Sequence, residues 1–146
     1  MPQKKPFCKD NPIEKELRLF QELFDKEDYE QAIVVIKRII DINPDISTSW
    51  FNYGACLDSL KKYNQAAEAY LKASALEKNE TVATKSMYRC FYSYFSAKNA
   101  KKFYSLMEKK LKQDPWLIDI FLGSAEFDSF YNRPEFRKLI AKYKKN

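Results

Sequence analysis

Apolar residues recur at three- and four-residue intervals along most of this chain. Ile13, Leu17, Phe20, Leu23 and Phe24 make one such stripe, and Ala32, Ile33, Ile36, Ile39 and Ile40 make the next. That spacing places each set on one side of an α-helix. No segment alternates apolar and polar residues in the two-residue rhythm of a strand. The boundaries are marked as well. Asn11 can cap a helix whose first residue is Pro12, with Glu14 placed three residues after the cap to answer a free backbone amide. Pro44 and Pro115 fall between stripes, where the missing N–H does no harm. The pattern predicts an all-α chain of successive antiparallel helix pairs.

The pairs repeat. A step of 34 residues aligns Leu23, Leu57 and Phe91, then Ala32, Ala66 and Ala100, then Ile36, Tyr70 and Tyr104. The closings INPD at 42–45, EKNE at 77–80 and QDPW at 113–116 punctuate the units, the last arriving about three residues late. The third unit therefore holds about three extra residues. We read an N-terminal extension over 1–11 and a single domain over 12–146, with units at 13–46, 47–80, 81–114 and a divergent fourth at 115–146. In that last unit Trp116, Leu117, Ile120 and Phe121 continue an apolar face. Asn132 and Pro134 open a short amphipathic helix carrying Phe136, Leu139, Ile140 and Tyr143. The terminal unit of such an array has to cover the last apolar face, so this segment is expected to be a cap.

Composition adds mostly exclusions. With 146 residues, 45% of them hydrophobic and 32% charged, the chain can bury a core. It lacks an apolar run of roughly 18 residues, so no membrane association is expected. The opening MPQKKPFCKDNP has lysines but no apolar stretch behind them and does not resemble a secretory signal, which leaves a cytoplasmic location as the expectation. There is no histidine, which removes the commonest general base and metal ligand. Gly54 and Gly123 are the only glycines, too few for a phosphate-cradling loop. No catalytic motif, metal site or cofactor site is expected. Cys8, Cys56 and Cys90 are odd in number and widely spaced, and Cys56 and Cys90 read as small core residues.

The stretch SWFNYGACLDSLKKYNQAAEAYLKA at 49–73 sets Trp50, Tyr53, Gly54, Leu57, Ala66, Tyr70 and Ala73 at intervals that resemble the tetratricopeptide repeat. Residues 13–46 keep Ala32 and Pro44 but have Phe20 where a small residue is expected, implying a wider helix separation there. Residues 81–115 retain Phe91, Ala100 and Tyr104, and AEFDSFYNRPEFRKLI is similar to tails that follow many bacterial repeats of this kind. The resemblance implies a right-handed superhelical solenoid of three units with a C-terminal helical cap. It also implies a protein-binding adaptor or scaffold, with a peptide or helix lying in the concave groove lined by the first helix of each pair. By position that groove should display Leu17, Arg18 and Gln21, then Phe51, Asn52 and Ala55, then Lys85, Arg89 and Tyr92.

Some relatives of that kind grip a terminal carboxylate with lysine, arginine and asparagine. Asn52, Lys85 and Arg89 stand at such positions, but Leu17 and Gln21 occupy those that need a lysine and an asparagine, so the clamp is incomplete. Charge points to an acidic partner. Residues 13–46 carry nine acids and five bases, whereas 81–114 carry two acids and eight bases. The gradient suits steering of an acidic segment onto the third unit, in a monomer or a weakly self-associating chain. Two alternatives stay open: a secretion-type chaperone for a specific client, and a basic nucleic-acid-binding protein, since a pI near 9.1 and abundant aromatics supply phosphate contacts and stacking.

Overall fold

The computed structural model describes residues 11–123 and 125–144. Of the extension expected at 1–11, only Asn11 falls among these, and Cys8 lies outside them. The described residues form helices and turns without a strand: α1 (Pro12–Asp25), α2 (Tyr29–Ile42), α3 (Ser47–Ser59), α4 (Tyr63–Leu76), α5 (Glu80–Ser96), α6 (Ala100–Gln113), α7 (Leu117–Gly123), a 3-10 turn (Ala125–Phe130) and α8 (Pro134–Tyr143). The chain divides into two compact units, one through Ser93 and the other from Tyr94, so α5 contributes to both.

One turn is used three times. Glu27, Lys61 and Lys98 each adopt a left-handed backbone, with φ of 58°, 60° and 56°. The amide of each bonds to the carbonyl three residues back, and the next amide reaches five back: Asp28 to Leu23, Lys62 to Leu57 and Asn99 to Tyr94. This double bond pattern satisfies the orphaned carbonyls of the first helix. The residue that follows opens the second helix, and in two of the turns its side chain also caps it. Asp28 Oδ1 accepts from the amide of Gln31, and Asn99 Oδ1 from that of Lys102. In the unit through Ser93, two residues separate the end of the first helix from the cap of the second, and the second helix runs back along the first. A left-handed non-glycine residue costs about 1–2 kcal/mol, which the carbonyl bonds offset.

These turns also correct the register of the third unit. Lys61 follows Glu27 by 34 residues (61 − 27), but Lys98 follows Lys61 by 37 (98 − 61). The extra residues lie in α5, which has 17 residues where α3 has 13. Tyr94, not Phe91, therefore matches Leu23 and Leu57. Phe103, not Ala100, matches Ala32 and Ala66, and Met107, not Tyr104, matches Ile36 and Tyr70. Burial agrees, since Ala100 is exposed while Phe103 and Met107 are buried. The 34-residue spacing of Ala100 is a coincidence of composition.

In the unit through Ser93, α1 packs on α2, α2 on α3, and α3 on α4. Phe20, Ala32, Val35, Ile36, Ile39 and Cys56 form a buried cluster, with Ile13, Leu23, Phe24, Tyr29, Ile33 and Tyr53 packed around it. Burying each large apolar side chain contributes about 1.5–3 kcal/mol. Leu17 departs from the stripe read off the sequence and stays 38% exposed. Burial pushes the Cys56 thiol up to about 11, so it packs as an unreactive neutral group.

Gly54 is required by close approach. A Cβ there would stand 2.9 Å from ring carbons of the buried Tyr70. One repeat earlier the same two positions hold Phe20 and Ile36, both in the core. The size is exchanged across the helix pair: glycine faces a large ring in one unit, and a large ring faces a branched aliphatic in the other.

In the unit from Tyr94, α6 packs on α7 and α8. Phe103, Met107, Leu111, Leu117, Ile118, Phe121, Phe136 and Leu139 are buried, as the amphipathic reading of the tail requires. Trp116 departs from it and stays exposed. Nor does Asn132 cap α8; the cap residue is Arg133, and Asn132 Oδ1 accepts instead from Arg137. The Tyr131 hydroxyl donates to the carbonyl of Leu122, tying the approach to α8 to the end of α7. No helix among the described residues is long and apolar enough to cross a membrane.

Candidate functional site

The face expected to bind is built from the first helix of each pair, and within the unit through Ser93 these are α1, α3 and the first part of α5. On α1, Leu17, Arg18 and Gln21 are exposed, and the Gln21 amide donates to Asp25 Oδ1 at 2.7 Å. On α3, Phe51, Asn52 and Ala55 are half-buried, because this face also meets its neighbours. Phe51 stands edge-on to Tyr70 with ring centres 5.2 Å apart. On α5, Lys85, Arg89 and Tyr92 are all exposed.

Two of these nine side chains share a cleft. Phe51 and Lys85 line a recess of about 140 Å³ together with Ser47, Thr48, Glu77, Val82 and Ser86. Its wall is fixed by Glu77, whose Oε2 accepts from the Ser47 hydroxyl at 2.6 Å while Oε1 accepts from the Asn79 amide at 2.9 Å. Those bonds, the serine first, hold the Glu77 carboxyl below the usual carboxylate range. They also clip the start of α3 to the loop that leads into α5. Sequence reasoning missed Ser47 and Glu77, which act across 30 residues and carry no motif. Leu17, Arg18 and Gln21 do not line this cleft.

Arg89 has a second commitment. Burial pushes the Asp58 carboxyl up, and the Arg89 guanidinium and the Ser93 hydroxyl act against that shift. Neither Asp58 Oδ1 nor Ser93 Oγ completes a hydrogen bond of normal geometry, though both are buried. Arg89 is thus exposed yet serves as the counter-charge to a half-buried acid on α3. A glutamate at this position would set two acids side by side, so reversal at Arg89 should cost stability. Arg89 is therefore more than a solvated surface cation.

Asp58 also sets a pH dependence. Its folded-state carboxyl titrates above its unfolded value, so its contribution to stability is present below the unfolded value and is lost as pH rises through the folded one. At neutral pH the ionised group works against the fold. Asp58→Asn should therefore raise the melting temperature at pH 7, and the gain should shrink as pH falls toward about 4, the ordinary aspartate range. A melting-temperature difference that stays constant from pH 7 to about 4 would show that Asp58 is not strained by burial.

Comparison with known proteins bears on the middle of the chain. Residues 47–80, which are α3, α4 and the loop beyond, match the family model described as tetratricopeptide repeat. An uncharacterized protein of Methanocaldococcus jannaschii is similar, being 33% identical over 60 residues, which is 41% of this chain and 70% of that protein. The matched repeat, its two neighbouring helix pairs with the same left-handed turn, and the all-helical architecture agree: residues 47–80 are a tetratricopeptide repeat, and the chain is a protein of tetratricopeptide-repeat type.

Proposed function

We propose that this protein is a cytoplasmic, non-catalytic adaptor that binds an extended segment of a partner protein along α1, α3 and α5, the segment carrying acidic residues. Tetratricopeptide repeat domains typically serve as protein interaction modules, and that coarser role follows from the family. The observation that supports the finer reading is the recess between α3 and α5, where the Phe51 ring and Val82 offer apolar contact beside the exposed Lys85 ammonium. Tyr92, two turns further along α5 and 39% exposed, extends the same face. An apolar side chain flanked by a carboxylate fits this combination. The surplus of bases in 81–114 would steer such a segment toward α5.

The test starts with capture of partners from the source cell and identification of the segment that binds. Isothermal titration of that segment should then show Lys85→Glu weakening binding by about tenfold or more, because a charged hydrogen bond is worth roughly 1.5–3 kcal/mol. Lys109→Glu, on α6, makes the same change in net charge and serves as the control. Equal losses from both would mean long-range charge alone, and no loss from Lys85→Glu would place the partner elsewhere. Lys85 is the better probe than Arg89, since Arg89 also answers Asp58.

A further inference from the structure

Charge is divided unevenly between the two compact units. Residues 1–93 carry fourteen bases and fourteen acids, whereas 94–146 carry twelve bases and six acids, so the whole excess of +6 sits in the second unit. Helix α6 concentrates it, with five lysines and one acid in 14 residues. The helix buries Phe103, Met107 and Leu111, and Lys101, Ser105, Lys109 and Lys112 stand exposed on the side away from them. Steps of four, four and three residues set these groups one to a turn, about 5.4 Å apart along the axis. Lys101 and Lys109 make no ion pair among the described residues. Glu108, the acid of the helix, is taken up by Lys142 of α8 at 2.8 Å, which with a smaller effect from Lys112 holds its carboxyl below the usual range.

Stability does not explain this arrangement. The first turn of α6 has Lys101 and Lys102 and no acid, and cations there oppose the helix dipole. Just past the last turn, Trp116 is 46% exposed. Asp114, the exposed C-cap, lies between Lys112 and Trp116 and ends the basic track.

We propose that the outer side of α6 binds single-stranded nucleic acid, with Lys101, Lys109 and Lys112 at backbone phosphates and Trp116 stacked on a base. A lysine ammonium meets a phosphate as a point charge, and a regular row of lysines suits a backbone that repeats its charge at every nucleotide. Asp114 repels a phosphate where Trp116 receives a base. An acidic peptide would meet the lysines but has no regular supply of rings to stack, whereas every base offers a face. In a duplex the bases are already stacked inside, out of reach of Trp116. An anionic membrane fits less well, because a helix lying on one inserts apolar residues, and this side of α6 has none. The surface shares no residue with the one proposed for the protein partner, and its test is independent of that reading.

The experiment is fluorescence anisotropy of a labelled oligothymidylate of about 20 nucleotides, longer than the usual site, titrated with the full chain at about 50 and about 200 mM salt. At the lower salt it should bind with a dissociation constant of about 100 μM or tighter, and three phosphate contacts should weaken it about twentyfold at the higher salt. The variant Lys101→Gln, Lys109→Gln, Lys112→Gln should bind at least about tenfold more weakly and lose most of the salt dependence. Trp116→Ala should weaken binding by about fivefold or more and keep the salt dependence. Lys15→Gln, Lys26→Gln, Lys72→Gln, at exposed positions of the first unit, removes the same charge and should change little. If the α6 variant unfolds, Trp116→Ala and the salt dependence of the native chain decide. No binding of the oligonucleotide by about 1 mM, equal losses from the two triple variants, or unaltered affinity in Trp116→Ala would overturn the proposal. So would tighter binding of the matching duplex, of polyglutamate or of phosphatidylserine vesicles than of the single strand.

Discussion

Phe136→Ala is expected to destabilise the unit from Tyr94 by about 3–5 kcal/mol, the cost of emptying a phenylalanine site that cannot collapse. The ring is fully buried, with the Tyr131 ring 5.7 Å away, and it sits on the ten-residue α8, which packs on α6. A helix of that length does not hold itself together in water, so its helicity depends on the apolar side it buries. The polar link across the same helices is Lys142 to Glu108 at 2.8 Å, between exposed groups that water screens, and it cannot compensate. Amide hydrogen exchange should show α8 and the facing turns of α6 losing protection together, and Phe136→Leu should keep most of it. Unchanged exchange in α6 after Phe136→Ala would mean that α8 does not cap the unit, and the helix would become a candidate docking element instead.

A size exchange between repeats should be transferable. Gly54→Phe drives a ring into Tyr70 and is expected to cost about 3 kcal/mol or more, because the clash meets a buried ring on a packed face. Tyr70→Ile alone should cost about 2–4 kcal/mol, comparable with other large-to-small core changes. The double variant installs the pair that Phe20 and Ile36 form one repeat earlier. It should be more stable than the sum of the two losses implies by about 1–3 kcal/mol, the coupling expected of residues in contact. Chemical denaturation of the four proteins measures this. Simple additivity would mean that the two repeats do not share one packing scheme.

The helix pairs were legible because their signals are local. Asn11 before Pro12, the stripe of Ala32, Ile36 and Ile39, and the glycine, alanines and tyrosine of residues 54–73 each act within one or two turns of helix. The register of α6 was not. An added turn in α5 leaves no trace in the apolar pattern, because Ser86 and Ser93 are buried on the same helix as Met87, Cys90 and Phe91 and break its stripe. Ala100 then supplied a false match. The exposure of Lys85 and Tyr92 followed from their place on the first helix of a pair. The role of Arg89 opposite Asp58 did not, since it joins residues on different helices through burial rather than spacing. Leu17 shows the reverse error, an apolar residue at helical spacing that remains on the surface.

Hydroxyl-radical footprinting of the full chain, free and saturated with a captured partner segment, is the most direct measurement of where the protein binds. Leu17, Phe51 and Tyr92, on α1, α3 and α5, should each become protected. Val34 and Ile42, exposed on α2, and Trp116, exposed ahead of α7, should react as fast as before. Protection of Val34 and Ile42 with Leu17, Phe51 and Tyr92 unchanged would contradict binding along the first helices of the repeats.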